Sequence, residues 1–311
     1  MNQVLSDRLR TVEVLESQTV GCMQVFGLRW NCPNGIGYRT LDEALAAESL
    51  DITETSEGGS VPLLKLLNRG DDAVFLMAGE QLVGAKQNRI LNTSILAAAH
   101  GELTIPVSCV EGGRWRHISP KFASPGTMSH GKLRTLLSRH VHESAARGAG
   151  AVSNQGEVWD EVSRKLHRLG SFSPSAALQQ SYDDFQVRLD ALVSGVQMPP
   201  ECAGSVFAIA GRITGMDLFD KPATLAKLWP KLARAYALDA LEEKVEAVQP
   251  VPREAVRSWL DSLAEVPSHV SKSPGLGHDV RLGNEKIVGN CLVVEQCPVH
   301  AELFTLDASP A

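Results

Sequence analysis

No window of the 311-residue chain approaches the roughly 18 apolar residues of a membrane span. The opening "MNQVLSDRLRTVEVLE" is polar and charged, without the apolar core of a secretory signal. Both absences make a cytoplasmic protein, with no membrane partner, the expectation. A basic surplus is missing too. Thirty Lys and Arg stand against 36 Asp and Glu, for a net charge of −6. General nucleic-acid binding is therefore not expected, although a local basic pocket is compatible with that balance. The chain also lacks a Walker A sequence, a GxGxxG after a strand, a GxSxG and an HExxH. "GLGHDV" (275–280) is rich in glycine but no helix is predicted after it, as a dinucleotide fold requires. Zinc spacing is absent as well. His140 and His142 lie two apart in a helical pattern, and Cys291, Cys297 and His300 match no paired zinc motif. Metal and cofactor therefore stay unassigned. The six cysteines, with no export signal, are expected as free thiols.

What is present reads as an ordinary globular chain, 43% hydrophobic and 21% charged. "TVGCMQVFGLRW" (19–30) alternates as a strand. "TLDEALAAESL" (40–50) is a helix that Thr40 and Glu43 close with a capping box. From 52 to 116, short apolar segments separated by Gly, Asn and Asp predict antiparallel β structure. Residues 117–154 hold one helix and then an Ala/Gly/Ser stretch, 145–154, that reads as a linker or surface loop. Beyond it, Asn154 and Glu157 start a helix that Gly170 ends. Ser173-Pro174 starts a second, running to about 196. A hairpin over 204–219 turns at Ala210-Gly211. A helix from Pro222 should kink or break at Pro230. Another helix spans 252–266, and the C-terminus returns to β with turns at Gly283-Asn284 and Gly289-Asn290. The expected fold class is α+β. A β-rich half, 1–145, packs with a helix-and-hairpin half, 151–311, as two domains or one compact domain.

Three stretches carry chemistry. "GEQLVGAKQNRIL" (79–91) sets Glu80 and the run Lys86, Gln87, Asn88, Arg89 between apolar segments. If 86–91 is extended, Gln87 and Arg89 share a face, and an amide beside a guanidinium fork suits phosphate or carboxylate. Glu80 is placed to pair with Lys86 or Arg89, or to act as a general base. "VSCVEGGRW" (107–115) puts Cys109 and Glu111 on one strand face. Gly112-Gly113 forms a turn or bulge open to a ligand, and Arg114 and Trp115 offer charge plus a stacking surface. Cys109 itself reads as a small core residue. "SNQGEVWDEV" places Gln155 in the first turn of a helix and Trp159 one turn later, where free amides bind anions.

"FLMAGEQLVGAKQNRILNTSILA", "IPVSCVEGGRW" and "QGEVWDEV", in that order, resemble a prokaryotic family named for its association with ADP-ribosylglycohydrolase and rhodanese-phosphatase domains. The likeness is strongest over 60–162, and "GRITGMDLFDKP" and "CPVHAELF" resemble its later segments. The resemblance implies a role near ADP-ribose or its phosphate esters, with ADP-ribose-processing enzymes as partners. It names no reaction.

Two readings follow. In one, the protein binds or hydrolyses an ADP-ribose-like or other phosphorylated nucleotide. Glu80 or Glu111 is then the catalytic carboxylate, Lys86, Arg89 and Arg114 hold phosphate, Gln87 and Asn88 orient ribose or water, and Trp115 or Trp159 stacks on a base, with Gln155 nearby. In the other, the same polar set is a buried hydrogen-bond network that joins hairpins in a non-catalytic binding or assembly module.

Overall fold

The computed structural model describes residues 2–30, 32, 36–56, 58–244 and 248–306. Its helices and mainly antiparallel sheets make an α+β protein. The chain forms two compact units. A central unit comprises Gly37–Gln186 with Ser273–Leu276, and a split unit comprises Met1–Ile36, Val187–Lys272 and Gly277–Ala311. This division differs from a cut near 145–151, which lies inside the central unit. Strand pairing is the reason: Met23–Arg29 pairs antiparallel with Gly204–Ile209, which ties the N-terminal hairpin to the C-terminal sheet.

In the central unit a six-stranded sheet runs in the order Phe122–Ala123, Gln81–Gly84, Arg89–Leu91, Glu102–Cys109, Leu63–Asn68, Leu50–Glu54. A three-stranded sheet joins Arg39–Thr40, Val74–Leu76 and Ile95–Ala97. Alternation drives the burial. Leu64, Leu66, Ile52 and Ile105 are sealed in one core, while Lys65 between the two leucines reaches Glu102 at the surface. Sealing a leucine or isoleucine contributes about 1.5–3 kcal/mol. The Thr40–Glu43 capping box opens the helix Leu41–Ala46 as expected. Asn154 caps the helix Gln155–Leu169, and Gly170 ends it in the left-handed region at φ 69°. The second half of that cap differs from a capping box. The Asn154 amide N–H donates to His140 Nδ1 at 3.3 Å, while the Asn154 side chain donates to Glu157 at 2.7 Å.

The helix expected to run from Pro174 to about 196 is interrupted. Gln179–Asp184 ends at Phe185, and Gln186–Ser194 is a separate helix. Residues 173–178 are taken by backbone pairing instead: Gly113 N–H donates to Ser175 O at 2.8 Å and Leu178 N–H to Val110 O at 2.9 Å.

The split unit holds an eight-stranded antiparallel sheet in the order Glu13–Val20, Met23–Arg29, Gly204–Ile209, Arg212–Phe219, Cys297–Thr305, Ile287–Val294, His278–Gly283, Ser268–Lys272. The predicted turn is there: Ala210 and Gly211 both have positive φ, 51° and 77°. One sheet face carries Leu28, Val206, Leu218, Leu303 and Cys291. It packs with Leu5 and Leu9 of the helix Asn2–Thr11 and with Val256 and Leu260 of the helix Arg253–Leu263. The helix Pro222–Ala240 continues past Pro230 as one element, without the break that was one of the two expected outcomes. Extensive burial along it, from Leu225 to Leu238, offsets the lost amide bond. Gly289-Asn290 is also no turn, since both lie inside the strand Ile287–Val294. A Cβ on Gly289 would stand 2.2 Å from Glu302 O, so a close backbone approach explains that glycine. Cys32 and Cys297 form a disulfide, with Cα atoms 6.7 Å apart. That corrects the expectation of six free thiols, of which Cys22, Cys109, Cys202 and Cys291 are free.

Candidate functional site

The polar run is a hairpin loop. Gln81–Gly84 and Arg89–Leu91 pair with Leu82 opposite Arg89, and residues 85–88 bend between them. Ala85 takes φ 38° to make the bend. Only Arg89 of the four is extended, in place of the extended 86–91 expected. The loop is buried nonetheless, with Lys86, Gln87 and Asn88 nearly sealed and Arg89 at 0% exposure.

Arg114 explains how a polar loop is sealed. Its guanidinium donates to Ala85 O at 2.8 Å, Arg116 O at 3.1 Å and Gly84 O at 3.3 Å. It also donates to Asn88 Oδ1 at 3.1 Å and Glu111 Oε2 at 2.6 Å. The Arg114 fork thus clamps the hairpin loop to Glu111. Glu111 is equally engaged. Its Oε2 also accepts from Asn88 N–H at 3.1 Å and its Oε1 from Ser175 Oγ at 2.7 Å. Burial pushes the Glu111 carboxyl up. The hydrogen bonds from Arg114, Ser175 and Asn88 and the Arg114 charge outweigh it, so its pKa lies below the ordinary carboxylate range.

Gln87 joins the network from the other side. Its Nε2 donates to Glu111 O at 2.9 Å and its Oε1 accepts from Arg89 at 3.0 Å. Arg89 also lies 3.8 Å from Glu54 Oε1. Among the described residues, its Nε and one terminal nitrogen make no hydrogen bond, and neither does Glu54 Oε2. Burial lowers the Arg89 pKa, and Cys109 and Glu54 oppose that shift. The Trp115 indole lies over this pair of cations, its centroid 5.4 Å from Lys86 Nζ and 5.6 Å from the Arg89 guanidinium carbon. The Lys86 ammonium also donates to Gly58 O at 2.7 Å.

Asn88, Glu111, Arg114 and Trp115 line one cleft of about 700 Å³ with Arg116, Ser175, Gln179 and Asp183 among the other walls. Trp115 is 47% exposed at that cleft. Gly113 is exposed and lines this cleft, but it has no room for a side chain. Its Cβ position lies 2.9 Å from Ser175 Cα, so the neighbouring segment fills the space.

Lys86, Gln87 and Arg89 lie outside the cleft lining, and so do the remaining candidates. Glu80 sits in the tight turn after Val74–Leu76, where its Oε2 accepts from Met77 N–H at 2.8 Å. The proposed Arg89 pairing goes to Glu54 and Gln87 instead. Gln155 uses its side-chain amide like a strand: Cys109 N–H donates to its Oε1 and its Nε2 donates to Cys109 O, each at 2.8 Å. Trp159 packs beside Gly112, 3.7 Å from its Cβ position. Cys109 is a sealed core residue, and burial pushes its thiol up to about 11. Sequence reasoning missed Glu54 and Ser175. Each reaches the site from a segment remote in the chain, and neither residue type at its position carries a local signal.

The order of these segments, with the later 211–222 and 297–304 stretches, is matched end to end by a family model over residues 11–304. The chain belongs to the ARPP-1 family. Its full description is the ARG and Rhodanese-Phosphatase-superfamily-associated Protein domain. The ARPP-1 match spans most of the central and split units alike, so it does not single out one of them. Comparisons with curated proteins and with solved structures find no match.

Proposed function

We propose that the central unit binds a phosphorylated nucleotide of the ADP-ribose class in the cleft beside Trp115. The observation that carries this reading is the half-exposed indole bordering a cleft of about 700 Å³ while lying over two cations, Lys86 and Arg89. An indole face suits a base, and Lys86 and Arg89, buried outside the cleft lining, hold that indole in place. Arg116 adds a further positive group, and Asn88, Gln179 and Ser175 add hydrogen-bonding capacity for ribose. A family named for association with ADP-ribose-related enzymes is compatible, and those enzymes are the partners this reading anticipates.

Binding is favoured over hydrolysis. Both Glu111 oxygens are engaged by donors and its pKa is lowered, which makes it a poor general base and a good positioning group. The same saturation supports a second reading, in which Glu111, Arg114, Asn88 and Ser175 form a purely structural clasp. The two separate in a thermal-shift titration with ADP-ribose, ADP and inorganic phosphate. A ligand at a hundred times its Kd stabilises by about 2.7 kcal/mol. Trp115→Ala should erase that shift while costing only about 1 kcal/mol of stability, the scale of an exposed cation–π contact. If none of these compounds raises Tm, the structural clasp is the better account.

A further inference from the structure

The split unit carries a second polar cluster, on the sheet face opposite its apolar core. Asp217 stands directly across from Glu302 in the pairing of Arg212–Phe219 with Cys297–Thr305. His300 lies two residues before Glu302 and so shares its face. All three are buried, and one ligand atom from each lies within 4.8 Å of the others. His300 Nε2 is 3.2 Å from Asp217 Oδ1, and its ring stacks on Phe219 with centroids 4.8 Å apart. The stacking holds the imidazole in place. Tyr236 Oη donates to Asp217 Oδ2 at 3.4 Å, a supporting contact of the kind that orients a ligating carboxylate.

Two flanking residues give this cluster its meaning. Asn290 is directly opposite Glu302, and Ser205 is directly opposite Asp217. Both are at 0% exposure. Neither Asn290 Oδ1 nor its Nδ2 makes a hydrogen bond with any described residue, and Ser205 Oγ makes none either. A buried amide with no partner costs about 1–3 kcal/mol, so a native fold keeps one only where something else satisfies it. An imidazole nitrogen, two carboxylates and oxygens from an amide and a hydroxyl form a mixed N/O donor set.

We propose that Asp217, His300 and Glu302, with Asn290 Oδ1 beside them, bind a divalent first-row transition cation of the Mn²⁺ or Zn²⁺ type. Imidazole favours such ions over Mg²⁺ or Ca²⁺, and the absence of thiolate in the set fits manganese as well as zinc. The site is independent of the Trp115 cleft, since every donor belongs to the split unit. It also replaces the Cys291–Cys297–His300 grouping. Cys297 is in the disulfide with Cys32, and Cys291 lies in the apolar core on the other face.

The test uses the full chain, stripped with EDTA, dialysed, and titrated separately with MnCl₂ and ZnCl₂. Bound metal is read by ICP-MS and Tm by calorimetry. Expected are one ion per chain, a higher Tm on add-back, and at least a tenfold weaker affinity in Asp217→Asn and His300→Gln. Asn290→Asp covers the case in which those variants fail to fold. It keeps an oxygen in place and adds charge, so metal should raise its Tm more than it raises that of the wild type. The proposal is overturned by substoichiometric metal in the wild type after add-back. It is equally overturned if binding is stoichiometric but unchanged in His300→Gln, or if metal stabilises Asn290→Asp no more than wild type.

Discussion

At the residue scale, Glu111 shows how a sealed polar group is kept in place. Its pair with Arg114 is more than nine-tenths buried on both sides. Breaking one side of a buried pair costs about 3 kcal/mol, and Glu111→Gln is expected to lose stability on that scale in urea at pH 7. The pH dependence has a definite sign. A carboxyl whose folded pKa is depressed contributes its stabilisation in full above the ordinary glutamate value of about 4.3. It loses that contribution as pH falls through the lower folded value. The gap between wild type and Glu111→Gln should therefore shrink below about pH 4.3. A gap as large at pH 3 as at pH 7 would contradict the assignment. Gln87, Asn88, Arg89, Glu111, Arg114 and Trp115, which the structure brings together, are legible as polar or aromatic groups in two short stretches of the sequence. Their partners are not. Arg89 turns to Glu54 and Gln87, and Glu80 serves a turn, because which charges meet depends on chain crossings that no local pattern encodes.

At the scale of elements, two short features position the cleft. Asn154 Oδ1 accepts from the N–H groups of Gly156 and Glu157 and so starts the helix whose Gln155 pairs with Cys109. Asn154→Ala should cost about 1 kcal/mol, read as a lower denaturation midpoint. Gly113 is more exacting. A methyl there meets the Ser175 backbone at 2.9 Å, so the chain must shift the segment that delivers Ser175 to Glu111. Gly113→Ala is expected to cost about 1–3 kcal/mol, as overpacking does. It should also weaken any ligand response, and a variant as stable as wild type would show that the segment moves freely. The caps were legible because their signals are contiguous: Thr40 with Glu43, and Asn154 with Gly170. The interrupted helix after Pro174 was not, because residues 173–178 are claimed by pairing with residues 110–113, some sixty positions away.

At the scale of the whole molecule, the chain is laid out unevenly. The central unit is nearly contiguous, with its own core around Leu64, Leu76 and Ile105. The split unit needs strands from both ends of the chain, because Gly204–Ile209 pairs with Met23–Arg29 on one side and with Arg212–Phe219 on the other. A fragment of residues 37–186 is therefore expected to give a dispersed amide spectrum by NMR. A fragment of 187–311 should aggregate, with the Gly204–Ile209 edge left open. A well-dispersed spectrum from 187–311 would refute this account of the fold. Buried thiols offer a second reading at this scale. Burial pushes Cys109 and Cys202 each up to about 11, so neither should react with a thiol reagent at neutral pH until the protein unfolds.

The sequence by itself determined the α+β class, the helix caps, the hairpin turn at Ala210-Gly211 and most of the residues around Trp115. Each of these follows from side-chain chemistry within a few positions along the chain. Only the tertiary structure decided where the chain divides, that Arg114 clamps the Lys86–Asn88 loop, and that Asp217, His300, Glu302 and Asn290 fall in one buried cluster. Those outcomes depend on strand order and register, and a register is set by which faces the whole fold buries rather than by any one segment.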